Sequence, residues 1–219
     1  MNAPHSMKSR ARGQFEAWAG TYDRSLLNRF LFMPGYRMFL EELWRWRSAS
    51  GGPFDLLDVG CGTGTFAAML AASPLEARIV GLDYAPAMCA LAARKARAAG
   101  AHGRVRHVAA DSEHLPFGDG SFDAVTCSNS FHHYPHQQQV IREMRRVLRP
   151  GGRLMLIDGF RDNVIGWVVY DVIISRVEKE VFHAPWSTIH GYFESAGFRD
   201  IRRRKFNFWF PSVLTVGIA

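Results

Sequence analysis

Four segments of this chain set reactive side chains at the end of short apolar runs. In LLDVGCGTGTFAAML (56–70), Asp58 precedes Gly60, Gly62 and Gly64, with Cys61 between the first two glycines. ARIVGLD (77–83) ends on Asp83, followed by Tyr84. VRHVAAD (105–111) ends on Asp111, followed by Ser112, and FDAVTCSN (122–129) ends on Ser128 and Asn129. Glycines at this spacing let the backbone turn sharply and approach a ligand with no Cβ in the way. A helix that starts beyond them offers free N–H groups and the positive end of its dipole, which suit a carboxylate or a phosphate.

The details of the turn choose between ligands. A dinucleotide site would read GxGxxG or GxGxxA. Here the pattern is GxGxG with Thr65 at the sixth position. Asp58 would repel a pyrophosphate and welcome a cationic amine or sulfonium. Asp83 stands about 20 residues past the glycines, where nucleotide-binding βαβ units carry the acidic ribose ligand. It can accept from both ribose hydroxyls, or serve as a helix cap. Asp111 can accept from an exocyclic amino group such as that of adenine. His132 and His133 follow the fourth run, and either imidazole can take a proton near neutral pH.

These groups need elements to hold them. Residues 14–48 read as helical, with aromatics along them and Pro34-Gly35 breaking the run into pieces. Strands are expected at 53–60, 77–83, 105–111, 122–129 and 153–158, with helices at 63–72 and 85–99 between them. Val140, Ile141, Met144, Val147 and Leu148 fall on one helical face, which Pro150-Gly151-Gly152 ends. Strands alternating with helices imply a doubly wound α/β fold, a parallel sheet with helices on both faces. Ligands of such sheets lie beyond the carboxyl ends of the strands, where the aspartates stand. Residues 160–182 read as an amphipathic helix, 186–196 as a shorter one, and 199–208 with 212–218 as two closing strands.

Composition excludes several classes. Hydrophobic residues make up 47% of the 219, enough for a sizeable core, and 21% are charged, too few for a disordered chain. No stretch approaches the roughly 20 apolar residues of a membrane span, and no apolar run follows the basic N-terminus. A cytoplasmic protein is expected. Cys61, Cys89 and Cys127 are widely spaced, so neither a disulfide framework nor a zinc site is expected, and no metal is assigned. The net charge of +7 permits nucleic acid, an anionic membrane or an acidic substrate as partner. A solvated basic face is the simpler reading.

Together, LLDVGCGTG (56–64), GLDYAPAM (81–88), AADSEHLPFGDGSFDAV (109–125), CSNSFHHYP (127–135) and REMRRVLRPGG (142–152) resemble the class I S-adenosylmethionine-dependent methyltransferases, especially the ubiquinone/menaquinone-biosynthesis subgroup. The resemblance covers residues 56–158 almost continuously. QFEAWAGTYD (14–23) resembles that subgroup's N-terminal lid, and ESAGF (194–198) the helix before its last two strands. It implies a Rossmann-like, mostly parallel sheet of seven strands with the last one reversed, under a helical N-terminal lid. On this basis the chain is divided into a lid (1–50), a cofactor-binding core (54–158) and substrate-side elements (159–219) of a single domain.

The resemblance also assigns roles. Asp58, Gly60 and Gly62 would hold the methionine part of S-adenosylmethionine, with Ser128 lining that side, and Cys61 and Gly64 would complete the cofactor-binding turn. Asp83 would hold the ribose, Tyr84 and Met88 would flank the adenine, Asp111 and Ser112 would bind its amino group, and Tyr22 would close over the cofactor. Apart from the resemblance, their place after the fourth run makes His132 or His133 the candidate general base. The aromatic segments 15–46 and 160–182 suggest an apolar pocket, hence a small hydrophobic acceptor: a quinol, a lipid or a secondary metabolite. Segment 160–182 is also a candidate for peripheral membrane contact. RNA methylation is the alternative that the charge favours, although no nucleic-acid module is present and nucleic acid is not the expected partner. A third reading is a non-catalytic, cofactor-binding subunit.

Overall fold

The computed structural model describes residues 13, 26–174, 176, 181–207 and 210–219. The lid segment 14–23, and Tyr22 within it, lie outside the described residues. The chain builds a seven-stranded sheet in the order β3-β2-β1-β4-β5-β7-β6. Its strands are β1 (Phe54–Val59), β2 (Ala77–Asp83), β3 (Val105–Ala109), β4 (Phe122–Ser128), β5 (Leu148–Gly159), β6 (Arg199–Phe206) and β7 (Ser212–Ile218). The first five pair in parallel, and β7 runs antiparallel to both β5 and β6. This is the expected doubly wound sheet with its last strand reversed. Its order reverses between β1 and β4, and a crevice forms at such a point.

Alternation along each strand supplies two cores, because successive side chains point to opposite faces. Leu56, Ile79, Met155, Ile157 and Leu214 face one layer, made by α1 (Leu26–Ser50), α2 (Thr65–Ala71) and α3 (Pro86–Ala98). Leu57, Val59, Val125, Leu154 and Leu156 face the other, made by α4 (Gln137–Val147) and α6 (Trp186–Ser195). The face Val140–Ile141–Met144–Val147 of α4 is wholly buried there.

Two local readings are corrected. Pro34-Gly35 does not break the N-terminal helix: α1 runs unbroken through Pro34. Proline removes one hydrogen bond and costs about 3 kcal/mol inside a helix. Burial outweighs that cost, since Phe39 and Leu43 are fully enclosed and Phe39 packs edge-on against Phe66 at 5.2 Å. Gly35 assists, because a Cβ there would lie 3.3 Å from Ile157 Cδ1, so α1 can rest close on β5. Residues 160–182 are likewise not one α-helix. A short turn, α5 (Val164–Gly166), passes into a π-helical segment, Trp167–Ile174, and 181–185 is irregular. The wider winding accompanies a close contact: a Cβ on Gly159 would meet the Tyr170 ring at 2.5 Å, so Tyr170 packs directly on the end of β5. Its hydroxyl donates to the Pro211 carbonyl at 2.7 Å.

The packing of α1 is testable. Phe39→Ala should lower the unfolding free energy by about 3–5 kcal/mol, read from urea denaturation. A loss below about 1 kcal/mol would mean that α1 is not seated on the sheet in solution.

Candidate active site

The glycine turn sits at the end of β1. Gly60, Gly62 and Gly64 have φ of 72°, 51° and 74°, a left-handed backbone that glycine adopts without strain. The Gly60 and Cys61 amides both donate to the Leu82 carbonyl, at 2.8 and 2.9 Å. The Gly62 amide donates to Asp83 Oδ2 at 2.8 Å, and Asp83 Oδ1 accepts from the Ala85 amide at 2.9 Å. Asp83 therefore fastens the turn; it does not cap α3, whose N-cap residue is Ala85, with no side-chain cap. A carboxylate has about four lone-pair sites, so capacity remains for a ligand. Space is tight: a Cβ on Gly60 would overlap the Ser130 side chain and lie 2.8 Å from Tyr134 Oη. Gly81, beside Asp58 in the β1–β2 register, has no room either, with His107 Cδ2 at 2.7 Å and Cys61 Sγ at 3.0 Å from such a Cβ.

Asp58 is buried and accepts from Thr126 Oγ1 at 2.8 Å. Burial pushes its pKa up to about 7; the Thr126 bond works against this, and the charge of Asp83 adds to it. Burial also raises Asp83, against the pull of the backbone amides that it accepts. Cys61 is buried, and its thiol is held protonated, first by a hydrogen bond with Cys89 and then by burial. Met88 is buried and Tyr84 half-buried in the turn that opens α3. Asp111 Oδ1 accepts from the Glu113 amide at 3.0 Å, with Ser112 buried between them. Ser128 is half-buried, and its Oγ accepts from Asn129 Nδ2 at 2.9 Å. Parallel register thus brings Asp58, Asp83, Ser128 and the approach to Asp111 to one edge of the sheet.

His132 and His133 lie on a tight turn, Phe131–His133, beyond β4. His132 is buried, with Nδ1 2.6 Å from Asp158 Oδ1 and its amide donating to Asp158 Oδ2 at 2.9 Å. The Gly159 amide donates to Oδ1 at 2.7 Å. Burial alone would raise the Asp158 pKa, but the charge and hydrogen bond of His132, with the Gly159 amide, bring it below the ordinary value. Asp158 is the residue that the sequence reading missed. The signal was present, since it ends the fifth strand as Asp58, Asp83 and Asp111 end or follow earlier ones. His133 packs against His132 with ring centroids 4.2 Å apart.

His183 stacks on the other side of His132, at 4.9 Å and 28°. Its segment is fastened across the site. The Phe182 amide donates to the His132 carbonyl at 2.6 Å, Gln137 Nε2 to the Phe182 carbonyl at 2.7 Å, and Arg161 to the His183 carbonyl at 2.8 Å. His132, Asp158 and His183 bring ligand-capable atoms within 4.8 Å of one another. Asp158 already accepts N–H groups on both oxygens, which is how a carboxylate orients an imidazole.

Comparison with known proteins gives the family. Residues 57–156 match the family model described as a methyltransferase domain. The demethylmenaquinone methyltransferase of Thermus thermophilus is 41% identical over 149 residues, spanning 66% of this chain and 63% of that protein. Methyltransferase GfsG of Streptomyces halstedii is 42% identical over 124 residues, 57% of this chain and 44% of that protein. The matches thus span about half to two thirds of these relatives' length. The crystal structure of magnesium protoporphyrin IX methyltransferase from Synechocystis, with bound S-adenosylhomocysteine, superposes with a TM-score of 0.76 over 96% of this chain and 99% of that one, at 19% identity. The chain belongs to the class I S-adenosylmethionine-dependent methyltransferases. Within them it is similar to the demethylmenaquinone methyltransferases.

Asp58 gives this site a pH signature. A cationic ligand favours the carboxylate, so binding should release a proton near pH 7, and affinity should rise with pH until Asp58 is ionised without help. Calorimetry of S-adenosylmethionine binding in two buffers of different ionisation enthalpy checks this; equal heats and a flat affinity from pH 6 to 8 would contradict it. The same raised pKa stabilises the cofactor-free fold most at acid pH, and that contribution fades as pH climbs from about 4 to 7. Asp58→Asn should flatten both dependences.

Proposed function

We propose that this chain transfers the methyl group of S-adenosylmethionine to a small hydrophobic acceptor that must lose an O–H proton: a quinol, a lipid or a secondary metabolite. The observation that carries this reading is the buried His132–Asp158 pair on the same sheet edge as the glycine turn. The cofactor supplies an activated methyl on a sulfonium, open to in-line displacement. Asp58 and the turn of Gly60, Cys61, Gly62 and Gly64 take its amino-acid end, with Ser128 alongside. Asp83 takes the ribose, Tyr84 and Met88 flank the adenine, and Asp111 with Ser112 takes its amino group. Tyr22 is proposed to close over the bound cofactor.

An ionised Asp158 at 2.6 Å requires the shared proton to sit on His132 Nδ1. Nε2 is then the ring nitrogen proposed to receive the acceptor's proton as the methyl arrives. The remaining work is alignment and exclusion of water, worth several kcal/mol. Of the two histidines, His132 is assigned as base because Asp158 orients it, and His133 packs behind it. The name of one relative, a demethylmenaquinone methyltransferase, agrees with a small acceptor. The placement of the arginines also favours it over RNA. Arg146 pairs with Glu143 and Asp119, Arg149 with Asp55 and Asp123, Arg202 with Glu42 and Arg204 with Glu41. These four arginines are therefore engaged with carboxylates of the chain itself.

His132→Ala and Asp158→Asn should each lower kcat by about 10²–10⁴-fold and leave the Kd for S-adenosylmethionine within about twofold. S-adenosylhomocysteine release, measured with quinol, lipid and secondary-metabolite acceptors, checks this. Full activity in His132→Ala would remove the base role. Cofactor binding with no product from any acceptor would favour the non-catalytic reading.

Val164, Trp167 and Val168 project into solvent at the same edge of the sheet, and we propose that they touch the apolar medium from which the acceptor is drawn. No helix among the described residues is long and apolar enough to cross a membrane, so such contact would be peripheral. Trp167→Ser should then reduce co-sedimentation with anionic vesicles by several-fold; unchanged sedimentation would end that proposal.

A further inference from the structure

We propose that Lys95 is a positioning residue, reaching from α3 to hold the glycine turn in the shape that takes the amino-acid end of the cofactor. The inference rests on the cofactor reading above and goes beyond it to a side chain outside the motif.

A turn with three left-handed glycines in five residues is a poor keeper of its own shape, because glycine loses more conformational freedom on folding than any other residue. It therefore depends on fasteners from outside. Leu82 and Asp83 hold its first half through the Gly60, Cys61 and Gly62 amides. The second half, Thr63 to Thr65, is held differently. Lys95 Nζ donates to Thr63 Oγ1 at 3.1 Å and to Thr65 Oγ1 at 2.8 Å. The two hydroxyls are themselves 3.3 Å apart. One ammonium thus spans Gly64 from both sides, and the Thr63 that it grips is buried.

The reach is arranged by packing. A Cβ on Gly64 would lie 2.7 Å from Ala92 Cβ, so α3 comes right up to the turn at Ala92. Lys95 is three residues further along α3, on the same face. Helix energetics do not account for the contact. An ammonium beside the first residue of α2 opposes the helix dipole, which favours anions at that end. The gain falls on the turn. It also leaves a positive charge beneath the segment that would meet a carboxylate.

The test separates local ordering from general stability. S-adenosylhomocysteine carries the amino-acid end, and 5′-methylthioadenosine has the same nucleoside without it. Lys95→Met keeps the aliphatic stem and removes the donor. Calorimetry on the full chain should show the Kd for S-adenosylhomocysteine rising about fivefold to tenfold, the range of one net hydrogen bond. The Kd for 5′-methylthioadenosine should stay within about twofold. Lys95→Arg should recover most of the loss, and Thr65→Val should reproduce part of it with the lysine in place. Equal weakening of both ligands would mark Lys95 as a general structural residue and overturn the proposal. So would an unchanged affinity for S-adenosylhomocysteine. Failure of the wild-type chain to bind either ligand would remove the cofactor reading itself, a different result from wild-type binding with an indifferent Lys95.

Discussion

Burial of acidic groups at the carboxyl end of the sheet is the constraint on which this structure turns. Asp58 and Asp158 are enclosed and Asp83 is half-buried, each the last or next-to-last residue of its strand. A carboxylate in that position must be hydrogen-bonded, neutralised or matched with a cation. The chain uses a different answer for each. Asp83 spends its oxygens on backbone amides and shapes the turn. Asp158 is matched with His132. Asp58 has one hydroxyl partner, and burial brings its pKa to about 7. It is the one of the three left wanting a positive partner, and it stands beside the turn that would take an ammonium and a sulfonium.

The sheet exists to make this arrangement rigid. Parallel register lines up the strand ends, and residues on opposite faces of each strand bury two helical layers, so the edge cannot tilt without disturbing both cores. The functional side chains then need only short loops to reach one another. The segment around His183, fastened to the His132 turn and by Arg161, closes the far side of the same edge.

Most of the sheet could be read from the sequence because its signals are local. Short apolar runs that end in Gly, Asp or Ser-Asn gave β1 to β4, and a one-faced apolar period gave α4. What could not be read depends on contacts between distant residues. Pro34 looked like a break because the local penalty is plain, whereas the burial of Phe39 and Leu43 that overrides it is not. The π-helical winding of Trp167–Ile174 depends on the fit of Tyr170 over Gly159, which no periodicity encodes. The arginine cluster of β6 keeps its expected solvated face, with Arg202, Arg203, Arg204 and Lys205 all exposed, but its pairing with α1 joins groups far apart in sequence, Glu42 and Arg202 being 160 residues apart. Asp158 was passed over for a simpler reason. The rule about strand ends was applied to four strands and not to the fifth, whose partner His132 becomes a neighbour only through the β4–β5 pairing.

Gly81 differs in kind from the glycines of the turn. Its backbone is not left-handed; only the lack of space between His107 and Cys61 keeps it bare. Positions 61, 81 and 107 therefore share a single fixed volume beneath the cofactor turn. Among descendants of this fold, a side chain at 81 is an exchange and not a prohibition: a smaller residue at 107 releases the room that an alanine at 81 would fill. Gly60, Gly62 and Gly64 have no such trade, because their constraint lies in the main chain. Drift in this family should accordingly be correlated at the first set of positions and arrested at the second.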